Sequence, residues 1–277
     1  MTVIEAFFEY RFMQNALVAA LLAGVLCGLV GVIIVEKRLV MMSGGIAHTA
    51  YGGVGLGYLL GFSPLLGAIV FSLGAAFGIG ALRRKNPART DVLISLFWSL
   101  GMAAGIVFVA LAPGYPPDLN SYLFGNILTV TSGDLWLMSG VTGVVVLLFL
   151  ALYEDLRAYL FDETFAAVSG LFVRVLEWIV LGLIALSVVV LLRVTGIMLA
   201  IALLTAPAAT AARLTRRLLP RMLTAAGLSA AFAILGLVVS YYANIPSGAT
   251  VVALAVLTYA AVGSVHALCC LRKGGSR

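Results

Sequence analysis

The stretch VMMSGGIAHTAYGGVGLGYLLG, residues 40–61, decides the fold of this chain. It carries no Asp, Glu, Lys or Arg and is long enough to cross a bilayer as a helix. His48 is its one side chain that titrates near neutral pH, and such a group in a membrane usually faces a bundle interior or a water-filled path. We therefore expect a central membrane helix whose histidine is either a hydrogen-bonded core residue or a ligand or proton-handling group. Six glycines inside the stretch leave room for close helix packing, and they are Gly44, Gly45, Gly52, Gly53, Gly55 and Gly57.

The composition of the whole chain places it in a membrane. Of its 277 residues, 63% are hydrophobic and only 10% are charged, whereas soluble domains carry about 25% charged residues. Nine apolar segments are long enough to span hydrocarbon, with eight to ten allowed by the uncertainty of their boundaries. We expect an all-α, polytopic membrane protein that forms a single transmembrane domain over residues 1–277. The predicted spans are 15–35, 40–61, 65–82, 92–111, 135–153, 175–192, 194–212, 222–242 and 249–271.

The positive charges fall on one side of these predicted spans. Alternate loops share a side of the membrane, and fifteen of the seventeen lysines and arginines lie in one set of loops. Only Arg11 and Arg193 lie in the other set. Because cytoplasmic loops collect Lys and Arg, we expect the N-terminus outside and the C-terminus in the cytoplasm. The net charge of +6 therefore reflects orientation among membrane lipids and gives no reason to expect a nucleic-acid partner.

Two polar segments interrupt the spans. The first, an outer loop at about residues 112–134, contains three prolines that break helix. The second, a cytoplasmic segment at about 154–174, contains FDETFAAVSGL, in which Asp162 suits a helix N-cap and Gly170 a left-handed C-terminal cap. The short helix between these caps has an apolar stripe to bury, either against the underside of the protein or in a groove on a partner. The stripe consists of Phe161, Phe165 and Val168.

Five segments of the chain form a pattern that is specific only when they are taken together. They are GGIAHTA (44–50), SYLFGNILTVTSGDL (121–135), FDETFAAVSG (161–170), GIMLAIALLTAPAATAARL (196–214) and SYYANIPSGAT (240–250). In this order and at this spacing, they resemble the permease subunit of bacterial ABC importers for zinc, manganese and iron. The resemblance runs over the full length of the chain.

The resemblance implies a transport subunit in the cell membrane of a bacterium or archaeon. Such a permease forms the path for a divalent metal ion, holds no permanent cofactor and is not itself an enzyme, because a separate chain hydrolyses ATP. The implied partners are two copies of that cytoplasmic ATP-binding subunit, an extracytoplasmic metal-binding receptor and a second copy of this chain.

The resemblance also implies roles for single residues. His48 would contact the metal along the path, and Pro207 would interrupt a helix near the core, which only the bundle interior tolerates. The short cytoplasmic helix would be the coupling helix that docks into the ATPase, through Asp162, Glu163, Phe165, Ala166 and Gly170. The resemblance also implies four residues that line the translocation path or pack its helices, namely Gly44, Gly45, Gly52 and Pro207. It implies two residues at the outer mouth, Asn244 and Pro246.

Two departures from the family pattern bear on the metal. The family often has an acidic residue four positions before the histidine, where this chain has Gly44, and another in the outer turn, where it has Asn244. Imidazole suits zinc and carboxylate suits manganese better, so zinc is favoured, with manganese or iron as the other candidates. One histidine per chain supplies a pair of imidazoles when two copies meet at a two-fold axis.

The alternative function is a proton-coupled secondary transporter or a channel for a small solute. A proton-coupled transporter needs ionisable relays inside the membrane, and only His48, Glu177 and His266 lie near hydrocarbon. A membrane enzyme would need a constellation of nucleophile, base or metal ligands, and the sequence shows none.

Overall fold

The computed structural model describes residues 9–113, 125, 127–243 and 245–274. Most of these residues lie in ten α-helices and two short 3₁₀ turns, and none of them lies in a strand. Asn244 and most of the outer loop 112–134 lie outside the described residues. The helices are α1 (Arg11–Glu36), α2 (Val40–Leu60), α3 (Pro64–Lys85), α4 (Thr90–Leu111), α5 (Ser132–Ala151), α6 (Tyr153–Phe161), α7 (Glu163–Val168), α8 (Val173–Leu214), α9 (Leu218–Ala243) and α10 (Ser247–Gly274).

Seven of the described helices are long and apolar enough to cross a membrane: α1, α3, α4, α5, α8, α9 and α10. The central helix α2 is not among the seven, since glycine, serine and histidine lower its hydropathy. Its 21 residues nevertheless give a length of about 32 Å, and most of them are buried. The prediction of an all-α, polytopic membrane protein is confirmed.

The helix α8 joins two of the predicted spans. The sequence places their boundary at Arg193, but the helix continues past that residue and breaks at Gly196, where φ is 77° and ψ is 168°. Arg193 is accommodated because its Nε lies 2.9 Å from Oδ1 of Asp134 at the start of α5. Gly125 packs against the break, where an added Cβ would collide with the carbonyl of Thr195. Gly125 and Gly196, which belong to different sequence motifs, therefore form the break in α8 together.

Pro207 lies inside the second half of α8 without breaking it. The backbone around it stays helical, so the predicted interruption at this residue is wrong and the real break is at Gly196. A proline in a helix still deprives the carbonyl four residues earlier of its N–H donor, which here is the carbonyl of Leu203. Ser229 of α9 donates its hydroxyl to that oxygen at 3.4 Å. Pro207 and Ser229 are both buried, so the freed backbone group is satisfied inside the bundle.

Glycine pairs set the packing of α2 between its neighbours. Gly53 of α2 and Gly67 of α3 face each other, and a Cβ added to either would collide with the other's carbonyl. On the side of α4, a Cβ on Gly55 would lie 2.6 Å from the carbonyl oxygen of Gly105. The helices therefore approach backbone to backbone, as the glycine content predicts.

Ion pairs join the loops that carry most of the basic residues. Arg221 in the first turn of α9 pairs with Glu36 at the end of α1. Lys37 Nζ lies 3.2 Å from Oε2 of Glu163. The pair between Arg84 and Glu177 links the end of α3 to the start of α8. These contacts gather the basic loops at one end of the bundle, as the alternation of charged loops requires.

Candidate functional site

His48 lies in the interior of the bundle, with 5% of its surface exposed. Its imidazole ring stacks on the indole ring of Trp98 from α4, with 4.1 Å between the ring centroids and 15° between the planes. Its Nδ1 atom is buried and has no hydrogen-bond partner among the residues that the structure describes. A buried polar atom without a partner needs an explanation. At this nitrogen, the structure does not show the hydrogen bond of a satisfied core histidine.

Small residues surround His48 along its own helix. Gly44 and Gly52 occupy the positions one turn before and one turn after it, and Gly45 lies beside them. An added Cβ would lie 3.2 Å from Cζ3 of Trp98 at Gly44, 2.9 Å from a methyl carbon of Ile94 at Gly45, and 2.9 Å from a backbone carbonyl of α4 at Gly52. All three glycines are therefore packing positions against α4 in this conformation.

Trp98 is the residue of this site that the sequence analysis misses. It lies midway along α4 and is partly buried. Tryptophan in membrane proteins is enriched near the two membrane interfaces, so its position in the middle of a predicted span is the one signal that marks it. Its partner could not be identified without the structure, since residues 48 and 98 are far apart in sequence.

A complete metal site is not built from one copy of the chain. Within the described ranges, no three His, Cys, Asp or Glu side chains come together in a group that could hold a metal ion. The side chain of His266 lies outside the described part. Among the described side chains, His48 is therefore the one histidine on the central helix, and no group of metal ligands surrounds it.

The short helix α7 has the caps that its sequence predicts. The Oδ1 atom of Asp162 accepts hydrogen bonds from the backbone N–H groups of Thr164 and Phe165, both at 2.9 Å. Gly170 adopts the left-handed conformation after the helix, with φ of 84°. Ala166 is fully buried and faces the bundle. These contacts fix a helix of less than two turns on the surface.

The apolar stripe of α7 faces outward. Phe161, Phe165 and Val168 expose 58%, 63% and 84% of their surface, so this chain does not bury the stripe against its own described residues. The alternative of packing against the protein's own underside is therefore wrong. Exposed apolar patches are typical of surfaces that contact another protein or a membrane.

Charged contacts tie α7 to the ends of the longer helices. Lys37 pairs with Glu163 and also lies over the ring of Tyr159, with 3.6 Å from Nζ to the ring centroid. Burial raises the pKa of Tyr159, and the charges of Glu177 and Glu163 raise it further. Arg84 donates from Nε to Oε2 of Glu177 at 2.6 Å. Around these residues lies a cavity of about 460 Å³.

The predicted outer mouth is described only in part. Pro246 is exposed just before α10, and its carbonyl accepts hydrogen bonds from the N–H of Thr250 at 3.3 Å and from its hydroxyl at 3.0 Å. Ser240 donates to the carbonyl of Ile245 at 2.6 Å and so closes the same turn. These bonds order the turn.

Comparisons with known proteins match this chain, over more than 90% of its length, to a transport family and to membrane proteins. The family model described as the ABC 3 transport family matches residues 9–265. An uncharacterized membrane protein of Synechocystis sp. is 45% identical over 93% of both chains. The manganese transport system membrane protein MntC of Listeria innocua is 34% identical over 94% of this chain and 92% of its own length. The structure of PsaBC from Streptococcus pneumoniae in complex with Fab matches with a TM-score of 0.85 and 30% identity, covering 94% of this chain and 93% of that one.

Proposed function

The chain belongs to the ABC 3 transport family, and on this premise we propose that it is the permease through which an ABC importer carries a divalent transition metal ion across the cell membrane. The observation that carries this proposal is His48, a deeply buried imidazole with an unpartnered nitrogen on the central helix. An ionisable group placed at that depth is a functional group by default.

A separate ATPase drives the permease in this proposal. The exposed stripe of α7 gives that ATPase an apolar surface to bind, in the manner of a short helix that docks into a groove. Asp162 and Gly170 hold the ends of the helix, Ala166 seats it on the bundle, and Phe165 presents the apolar contact. Glu163 links the helix to Lys37. The ATPase hydrolyses ATP, and the permease performs no chemistry of its own.

The metal ion binds His48 transiently as transported substrate. Nδ1 is closed off from solvent in this conformation, so a metal reaches it only when α2 and α4 separate during the transport cycle. The Listeria relative is named for manganese. We favour zinc for this chain, because imidazole suits zinc and the position one turn before the histidine offers no carboxylate.

Two copies of the permease complete the transporter. A single imidazole leaves most coordination positions of a metal ion open, and zinc is usually held by three or four protein ligands. A second copy related by a two-fold axis supplies a second imidazole at the same depth. We therefore expect a homodimer with two ATPase subunits, and a metal-binding receptor that delivers the ion from outside.

The proton-coupled alternative has weaker support. Glu177, the carboxylate nearest to hydrocarbon, is paired with Arg84, so its charge is neutralised at the helix end. A relay would have to run through His48 alone among the described residues of the bundle interior.

Uptake into sealed vesicles tests the proposal. Vesicles that contain the permease and its ATPase should accumulate zinc or manganese only when ATP and a loaded receptor are present. Vesicles with a hydrolysis-deficient ATPase are the matched control. Uptake that follows a pH gradient and needs no ATPase would overturn the proposal in favour of a secondary transporter.

A further inference from the structure

We propose that Trp98 is a selectivity residue of the transport path, because its indole ring occupies the space beside His48 in which a second ligand side chain would stand. The inference rests on the proposed function and names its substrate class more closely. The site should favour ions that bind imidazole without a neighbouring carboxylate, zinc above manganese.

The stacking geometry leaves the nitrogen of His48 able to bind a metal. The two rings are nearly parallel, with 15° between their planes and 4.1 Å between centroids, so the indole covers one face of the imidazole. The lone pair of an imidazole nitrogen points outward in the plane of the ring, and a metal–nitrogen bond lies in that plane. Trp98 therefore orients the ring without standing in the direction of the bond.

The same indole ring crowds the position one turn before His48 on its own helix. Side chains that adjoin a helical residue lie three and four positions away, and Gly44, Gly45 and Gly52 fill three of those four positions. A Cβ on Gly44 would already lie 3.2 Å from the indole and 3.8 Å from a methyl carbon of Ile201 in α8. A carboxylate extends beyond its Cβ, so an aspartate at this position would have to displace the ring of Trp98.

The surroundings of His48 are consequently apolar on this side. Trp98, Ile94 and Ile201 supply carbon surfaces at the positions from which oxygen ligands would come. Manganese is bound mainly by carboxylate, carbonyl and water oxygens, whereas zinc binds imidazole well and prefers four ligands in all. A carbon-lined imidazole site therefore discriminates against manganese.

Four variants measured in the complete permease–ATPase complex test this inference through the ratio of zinc to manganese uptake. Gly44→Asp alone should lower the uptake of both metals, because the carboxylate collides with the indole ring. Gly44→Asp combined with Trp98→Ala has room for the carboxylate, and its zinc-to-manganese ratio should fall about tenfold. Trp98→Ala alone, which adds no ligand, should change the ratio much less, and Trp98→Phe, which keeps an aromatic face, should preserve it.

A ratio in the double variant within about twofold of wild type would overturn the inference. Improved manganese uptake in Gly44→Asp with Trp98 still in place would overturn it as well. Either result leaves ATP-driven metal uptake by the wild type intact, so the proposed function survives. Loss of the proposed function has a different signature, namely no ATP-driven uptake of any metal by the wild-type complex.

The fluorescence of Trp98 provides a readout that does not depend on transport. The chain has three tryptophans, so Trp136→Phe with Trp178→Phe leaves Trp98 as the only one. Adding zinc chloride during ATP turnover to this purified variant, paired with an ATPase that lacks tryptophan, should change the emission of Trp98, and His48→Gln should abolish the change. Emission that responds equally with and without His48 would show that the metal does not bind beside this ring and would refute the inference.

Discussion

The short helix α7 provides a direct test of how this permease meets its ATPase. Phe165→Asp puts a carboxylate on the outward stripe of that helix, at a residue that already exposes 63% of its surface. Because few contacts within the chain are lost, we expect the variant to fold and to enter the membrane normally. The loss should appear only when the ATPase binds.

The size of the effect follows from the exposed surface of Phe165. Burying a whole phenylalanine side chain stabilises by about 1.5–3 kcal/mol. Docking removes at most the 63% that is exposed here, which corresponds to about 1–2 kcal/mol and weakens binding about five- to thirtyfold when lost. A carboxylate buried without a partner adds a penalty of several kcal/mol, so Phe165→Asp should prevent assembly with the ATPase.

Co-purification with the ATPase and ATP-driven metal uptake measure this effect. Ala167→Asp is the matched control, because it places the same charge about 200° around the same helix, on the side away from Phe165. Phe165→Leu keeps an apolar side chain and should retain most of the binding. If Phe165→Asp assembles and transports like the wild type, α7 is not the coupling helix.

Three further predictions follow from the bundle. His48→Gln should express, assemble and hydrolyse ATP with its partner but lose most metal uptake; uptake within about twofold of wild type would make His48 structural. Ser229→Ala should lower the free energy of unfolding in detergent by about 1 kcal/mol. The loss should be clearly smaller in a Pro207→Ala background, in which the alanine supplies the missing N–H. Equal losses in both backgrounds would refute the contact. Gly53→Ala should reduce the folded yield because it meets the backbone of α3, whereas Gly227→Ala, which has open space, should not.

Local features of this chain could be predicted because they depend on residues adjacent in sequence. The caps of α7 are bonds between Asp162 and residues two and three positions later, and the left-handed turn at Gly170 needs only the absence of a Cβ. The burial of α2 likewise follows from its own composition.

Features that depend on distant residues could not be predicted in the same way. An arginine without a partner predicts the end of a membrane span. The charge of Arg193 is instead paired with Asp134, which is distant in sequence. Gly196 breaks α8 at a place where Gly125, some seventy positions earlier, packs against the exposed backbone. The stack of Trp98 on His48 also joins two separate helices, so no local pattern announces it.

The contacts of Lys37 define how a movement of α7 reaches the metal path. Lys37 lies in the three-residue connection between α1 and α2 and contacts both Glu163 and the ring of Tyr159. The carboxylate of this ion pair is 57% exposed, and exposed pairs contribute about 1 kcal/mol or less, so the buried contacts of Ala166 and Tyr159 contribute more to holding α7 to the bundle. The helix α2 begins three residues after Lys37, and His48 lies about 12 Å along it. Its glycine contacts with α3 and α4 leave no flexible side chains to absorb a displacement, so we expect a tilt that begins at α7 to shift His48 against α4.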